Sequence, residues 1–131
     1  MKQEFQDKKK EKVIVHLMHS TKYSMQGLRT TFKEEMSVKL LLLAYIIILL
    51  LSLAFHITPL EHIFMFLAFG LMFVVELLNT AIENIVDLVT KEYHELAKKA
   101  KDQGSAATFI SIVMALITFI YIFYPYFMGL K

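Results

Sequence analysis

The sequence contains no cysteine, which excludes disulfides and thiolate metal sites. It carries little net charge: a formal +2 is too small for a nucleic-acid binder, and the basic residues adjoin apolar runs instead of forming a separate face. The standard nucleotide-binding signatures GxxxxGKS/T, GxGxxG, HRD and DFG are all missing. A secretory signal is not expected either. The first apolar run begins near residue 38, behind a long polar segment, and is too long for a signal h-region. No internal repeat is visible, and no low-complexity tract beyond one Leu/Ile run.

What remains is apolar. The chain has 131 residues, room for one domain, and 56% of them are hydrophobic. Mean hydropathy is +0.53. Charge is concentrated in blocks at Met1–Lys39 and Glu76–Asp102, with long, nearly neutral stretches outside them, whereas a soluble domain mixes charge along its length. This is the pattern of an all-α integral membrane protein.

A bilayer core is ~30 Å thick, and a helix rising 1.5 Å per residue needs about 20 residues to cross it. Val38–Ile57 is such a stretch, with Lys39 close enough to one end to snorkel, and Ser105–Tyr126 is another, free of charge. Between them a helix is expected over His62–Leu88. Its uncharged part, Ile63–Val75, reaches only about 20 Å, so Glu76 must lie within or at the edge of the hydrocarbon. Pro59 separates the first two spans by a tight connection. Lys and Arg set the orientation: nine occur up to Lys39 and four in Lys91–Lys101, against none in Phe55–His62. That places Met1–Met36 and the Thr90–Gly104 connection in the cytoplasm. Within the first, Lys12–Phe32 alternates Val13, Leu17, Met25, Leu28 and Phe32 with polar residues at helical spacing, a basic amphipathic helix suited to the membrane surface. Met1–Glu11 reads as a solvated tail.

Glu76, Asn79, Thr80, Glu83 and Asp87 fall on one side of a helix, with Leu77, Leu78, Ile82, Ile85 and Val86 elsewhere. An acid at membrane depth costs on the order of 2.5–3.5 kcal/mol on insertion scales, so it faces a partner or a cavity. Glu92-Tyr93-His94-Glu95, Lys98, Lys99, Lys101 and Asp102 follow, then Gly104, able to end a helix or let backbone approach a phosphate, and Ser105, an expected N-cap for the third span. Carboxylates suit Mg²⁺ completed by phosphate oxygens, lysine gives phosphate a point charge, and an interfacial carboxylate can act as general base toward a lipid hydroxyl. These residues define an acidic and basic site at the inner membrane surface without naming a reaction.

The strings Glu76-Leu77-Leu78-Asn79-Thr80-Ala81-Ile82-Glu83-Asn84-Ile85-Val86-Asp87, Glu92-Tyr93-His94-Glu95-Leu96 and Ala100-Lys101-Asp102-Gln103-Gly104-Ser105-Ala106-Ala107, with Tyr23, Ser24, Gly27, Leu28, Arg29 and Glu35 upstream, resemble the bacterial diacylglycerol kinase family. The resemblance runs from about Tyr23 to the end of the third span. It implies an inner-membrane enzyme transferring phosphate from ATP to diacylglycerol. By the same likeness Glu76 is the catalytic base, Glu35 and Glu83 hold the magnesium of Mg-ATP, and Lys101 and Asp102 contact nucleotide. His16, Tyr23, Glu92, Tyr93 and His94 line the ATP site, and Asn79 and Ser105 meet the lipid substrate beside Glu76. At His16 this chain departs from the family's arginine. The likeness further implies a homotrimer with sites between subunits. Three helices cannot enclose a cavity, and shielding Glu76 from lipid gives the same expectation. Undecaprenol kinases share the fold, and Gly104-Ser105-Ala106-Ala107 favours diacylglycerol over an Ala-Ala-Gly-Ala-like run. A small proton-coupled transporter is the rival of another class, but it would place its glutamate at the midplane of four spans.

Overall fold

A computed structural model describes residues 2–130, and the side chains of residue 13 and of residues 15–130. Four helices are present among the described residues: α1 (Lys2–Glu34), α2 (Met36–Ala54), α3 (Pro59–Val89) and α4 (Glu95–Phe127). The last three are long and apolar enough to cross a membrane. The chain divides into two compact units, 1–39 and 40–131, each taken by itself below.

In the first unit α1 is one helix from Lys2, so residues 2–11 are helical where the sequence suggested a tail. Gln, Glu and Lys are good helix formers and no Gly or Pro precedes Gly27, so nothing local stops the helix. Val13, Leu17 and Met25 are exposed, while Leu28 and Phe32 are half-buried. The Glu35 amide donates to the Thr31 carbonyl at 2.8 Å, and the Lys39 ammonium to the Lys33 carbonyl at 2.8 Å.

In the second unit α2 ends at Ala54, three residues before the expected boundary. Proline restricts the residue before it to extended backbone, and Thr58 is extended (φ −66°, ψ 154°). The turn is made by His56 in the left-handed region, φ 52°. Helix α3 therefore starts at Pro59, whose missing N–H costs nothing in the first turn. The Thr58 hydroxyl accepts from the Glu61 amide (3.4 Å) while the Glu61 carboxylate accepts from the Thr58 amide (3.0 Å), a capping box. Glu61 Oε2 also receives the hydroxyls of Thr58 (2.6 Å) and Tyr126 (2.7 Å), which ties the start of α3 to the end of α4. There α4 closes in a Schellman motif: Gly129 (φ 66°) donates to the Tyr126 carbonyl and Leu130 to that of Pro125.

The core is the seam between α3 and α4. Met65 and Met72 pack with Ala115, Phe119, Ile122 and Phe123, and Leu41 and Ile48 of α2 lean on the cluster. Tyr45 of α2 stacks on Phe69 of α3, ring centroids 4.0 Å apart. Along α4 the seam residues Gly104, Thr108, Ser111, Ala115, Phe119 and Ile122 recur every three or four positions, one face of a helix. Toward the far end of α3 that seam turns from apolar to polar.

Candidate active site

The acidic stripe of α3 lies against α4. Glu76 and Thr80 are buried, at 6% and 8% exposure, Asn79 and Glu83 are half-buried, and Asp87 is exposed, so the stripe climbs from the core to the surface. A single chain thus covers Glu76 with its own fourth helix. Small residues of α4 pack closely enough to close that side.

Each level of the stripe meets a residue of α4. At the deepest, the Thr108 hydroxyl donates to Glu76 Oε2 at 3.1 Å. Next, the Asn79 amide lies over Gly104. A Cβ at that glycine would collide with Asn79 Oδ1 and stand 3.4 Å from its Cγ, so any side chain there would force the Asn79 amide to turn aside. Asn79 Nδ2 donates to Glu83 Oε1 at 3.2 Å, which leaves Oδ1 buried without a hydrogen-bond partner. At the surface Lys101 pairs with Asp87 at 2.6 Å and also feels the charge of Glu83. Asp102 turns along its own helix to pair with Lys98 and does not join the stripe.

Gly104 and Ser105 neither end nor begin a helix. Helix α4 starts at Glu95, with His94 as N-cap, its Nδ1 accepting the Leu96 amide at 3.2 Å. Small residues after a lysine-rich segment signal a cap equally well as a close helix contact, and here the contact prevails. Ser105 is exposed. The loop 90–94 is held by Thr90, whose hydroxyl accepts the Glu92 amide (3.1 Å) and donates to the Glu92 carbonyl (3.2 Å). Loop and helix start frame a cleft of about 300 Å³ in which Asp87, Glu92, Tyr93, His94, Lys101 and Asp102 all take part. Five sequence-identified nucleotide contacts therefore meet in one concavity, one turn beyond Glu83 on α3.

The remaining sequence-identified residues lie in the first unit. His16 and Tyr23 are exposed on α1, Tyr23 with its ring 6.2 Å from that of His19, and Glu35 is half-buried between α1 and α2. No group of three or more acids or histidines able to hold a metal ion occurs among the described residues. A solitary half-buried carboxylate such as Glu83 fits a magnesium ion that arrives with its phosphates, since Mg²⁺ is usually held by one or two carboxylates plus substrate oxygens.

Thr108 escaped the sequence reading. The signal was there: Lys101, Gly104 and Thr108 are spaced by three and four, the α4 counterpart of the acidic stripe, but a threonine in an uncharged span reads as an ordinary helix residue.

Residues 22–123 match the family described as prokaryotic diacylglycerol kinase. The diacylglycerol kinase of Haemophilus influenzae is 41% identical over 99 residues, covering 76% of this chain and 84% of that protein. That of Escherichia coli K12 is 32% identical over 114 residues, 87% of this chain and 93% of the other. The undecaprenol kinase of Bacillus subtilis is 36% identical over 100 residues, 76% and 81% of the two chains. With a family match over most of its length and relatives of this likeness, the chain belongs to the prokaryotic diacylglycerol kinase family and is a lipid kinase.

Proposed function

We propose that this protein phosphorylates diacylglycerol with ATP, giving phosphatidic acid, at the cytoplasmic face of the bacterial inner membrane. The observation that carries the reading is the continuity of the polar seam. It runs from a buried carboxylate, Glu76, to a surface cleft bearing Lys101, Glu92, Tyr93, His94 and Asp102. A lipid hydroxyl reaches a kinase from the bilayer and ATP reaches it from water, so the two substrates need such a passage between depths.

Glu76 takes the proton of the lipid hydroxyl as its oxygen attacks the γ-phosphorus, and the bond from that phosphorus to the β-phosphate oxygen breaks, releasing ADP. Glu83 lies seven residues further along α3, about 10 Å in rise, which separates base from metal ligand by the room a γ-phosphoryl in flight requires. Glu83 would hold the Mg²⁺ that arrives with the nucleotide, Glu35 is the further metal ligand that the family likeness implies, and the Lys101 ammonium exchanges Asp87 for phosphate oxygens. Catalysis is then positioning and charge neutralisation. Asn79 and Ser105 border the lipid, and the family likeness assigns His16 and Tyr23 to the nucleotide. The large apolar side chains exposed on α2 and α4, such as Leu43, Leu50, Ile117 and Ile120, suit hydrocarbon or the neighbouring subunits of a homotrimer.

The Bacillus subtilis relative supports undecaprenol as the second substrate to test. Purified protein is given labelled ATP and either diacylglycerol or undecaprenol in lipid vesicles. Label entering diacylglycerol preferentially is the expected result. Preference for undecaprenol transfers the reading to the polyprenol, and no ATP-dependent label in either lipid overturns it.

A further inference from the structure

Hydroxyls inside helices ordinarily donate to a carbonyl three or four residues back. Thr21, Ser24, Ser111 and Thr118 do so here, to Leu17, Ser20, Thr108 and Met114, at 2.7–3.0 Å. Thr108 does not. Its hydroxyl crosses to α3 and donates to Glu76 Oε2 at 3.1 Å, between residues 32 apart in sequence.

Two further features fix that hydroxyl. Threonine is branched at Cβ and stiff at χ1 on a helix, so its oxygen has few places to go. Ser111 bonds the Thr108 carbonyl at 2.7 Å, and Gly104, one turn before, brings α4 close to α3 at Asn79. The bond engages one carboxylate oxygen only. No described residue donates to Oε1, which leaves that oxygen free of the bond that holds its twin.

We propose that Thr108 is a positioning residue: it pins Glu76 by Oε2 and presents Oε1 to the lipid hydroxyl. This rests on the reading of Glu76 as the base. A glutamate has three side-chain torsions, and inside a seam lined by Met72 and Thr80 a loose carboxylate would sample rotamers turned away from substrate. A neutral donor fixes the rotamer without neutralising the charge, whereas a lysine there would form an ion pair and compete for the carboxylate as a base.

The test compares Thr108→Val, Thr108→Ser and Glu76→Gln in the full chain, in vesicles containing diacylglycerol, with Thr118→Val as control for loss of a hydroxyl from the same helix. Thr108→Val should lower kcat roughly 10- to 100-fold, the scale on which small misplacements of a catalytic group act, and leave KM for ATP and for lipid unchanged. Thr108→Ser should restore most of the loss, and Thr118→Val should match the parent. If Thr108→Val does not accumulate as folded protein, Thr108→Ala reads the same loss with no branched side chain to seat. Parental kcat in the Val or Ala variant, beside an inactive Glu76→Gln, overturns the positioning role and leaves the base standing. A raised KM with unchanged kcat also overturns it, because Thr108 would then act in binding. Turnover retained by Glu76→Gln overturns the base, and the inference with it.

Discussion

Helix α3 carries Glu61 in its first turn and Glu76 near its middle, and the two are built into the protein differently. Glu61, beside the turn after α2, has Oε2 filled by the Thr58 amide, the Thr58 hydroxyl and the Tyr126 hydroxyl. Glu76, in the seam with α4, accepts a single hydrogen bond, from Thr108, although it is the more deeply buried of the two. A half-buried carboxylate surrounded by donors is fastening two helix ends together. A buried carboxylate with few donors lowers the stability of its surroundings, and such an arrangement is understandable where the group has chemistry to do. The contrast extends to the neighbours. At the Glu61 end the carboxylate closes the cap of α3 and Ser52 pairs with His62, while farther along α3 Asn79 Oδ1 is buried without a partner and the exposed Asp87 pairs with Lys101.

The largest expected effect tests the contrast directly. Glu76→Gln keeps size and loses the ability to accept a proton, so turnover should fall roughly 10²–10⁴-fold with ATP affinity intact. Glu61→Gln should leave turnover at the parental value. Measuring kcat and ATP binding on one preparation of each checks both, and equal turnover in the two variants would erase the distinction between the two glutamates.

Next comes Lys101→Met. Ion pairs this exposed contribute only about 0–1 kcal/mol, and the Lys101 and Asp87 side chains are 39% and 61% exposed, so unfolding in detergent should barely change. KM for ATP should nevertheless rise by about tenfold or more, since a charge-assisted contact to phosphate is stronger, at roughly 1.5–3 kcal/mol. A changed unfolding temperature with unchanged KM would make the pair structural. Of comparable size, Glu83→Gln removes an anionic ligand and should increase the magnesium concentration needed for half-maximal rate by roughly tenfold. An unaltered magnesium titration would remove Glu83 from the metal site.

Gly104→Ala sharpens the comparison from the α4 side. The new methyl group meets Asn79 Oδ1, and overpacking of this kind costs about 1–3 kcal/mol, so the variant should unfold at lower temperature and lose activity together. The smallest effect belongs to the capped end. Thr58→Ala removes the N-cap of α3 and should cost about 0.5–2 kcal/mol of stability with turnover unchanged, read by thermal unfolding beside the lipid assay.

Much of this site is legible in the sequence because helices are periodic. Glu76, Asn79, Thr80, Glu83 and Asp87 share a face whatever they pack against, and the shortness of Ile63–Val75 by itself draws Glu76 toward the hydrocarbon. The helix ends were harder to read. Charged Lys98, Lys99 and Lys101 suggested a loop before the third span, yet they ride on the first turns of α4, because a helix extension beyond the bilayer meets water and pays no penalty for charge. Length and hydropathy locate the part of a helix in lipid and say nothing about where its hydrogen-bond ladder begins.

The sequence alone determined the three apolar helices, the acidic stripe and the family, since each depends on composition, period or a contiguous motif. Tertiary structure decided which helix covers that stripe. Only the packing of α3 on α4 could show that Gly104 lies against Asn79, that Lys101 answers Asp87, and that Thr108 holds Glu76. The pairings between α3 and α4 join residues 14 to 32 positions apart, and no local rule of spacing relates the rotation of one helix about its axis to that of another.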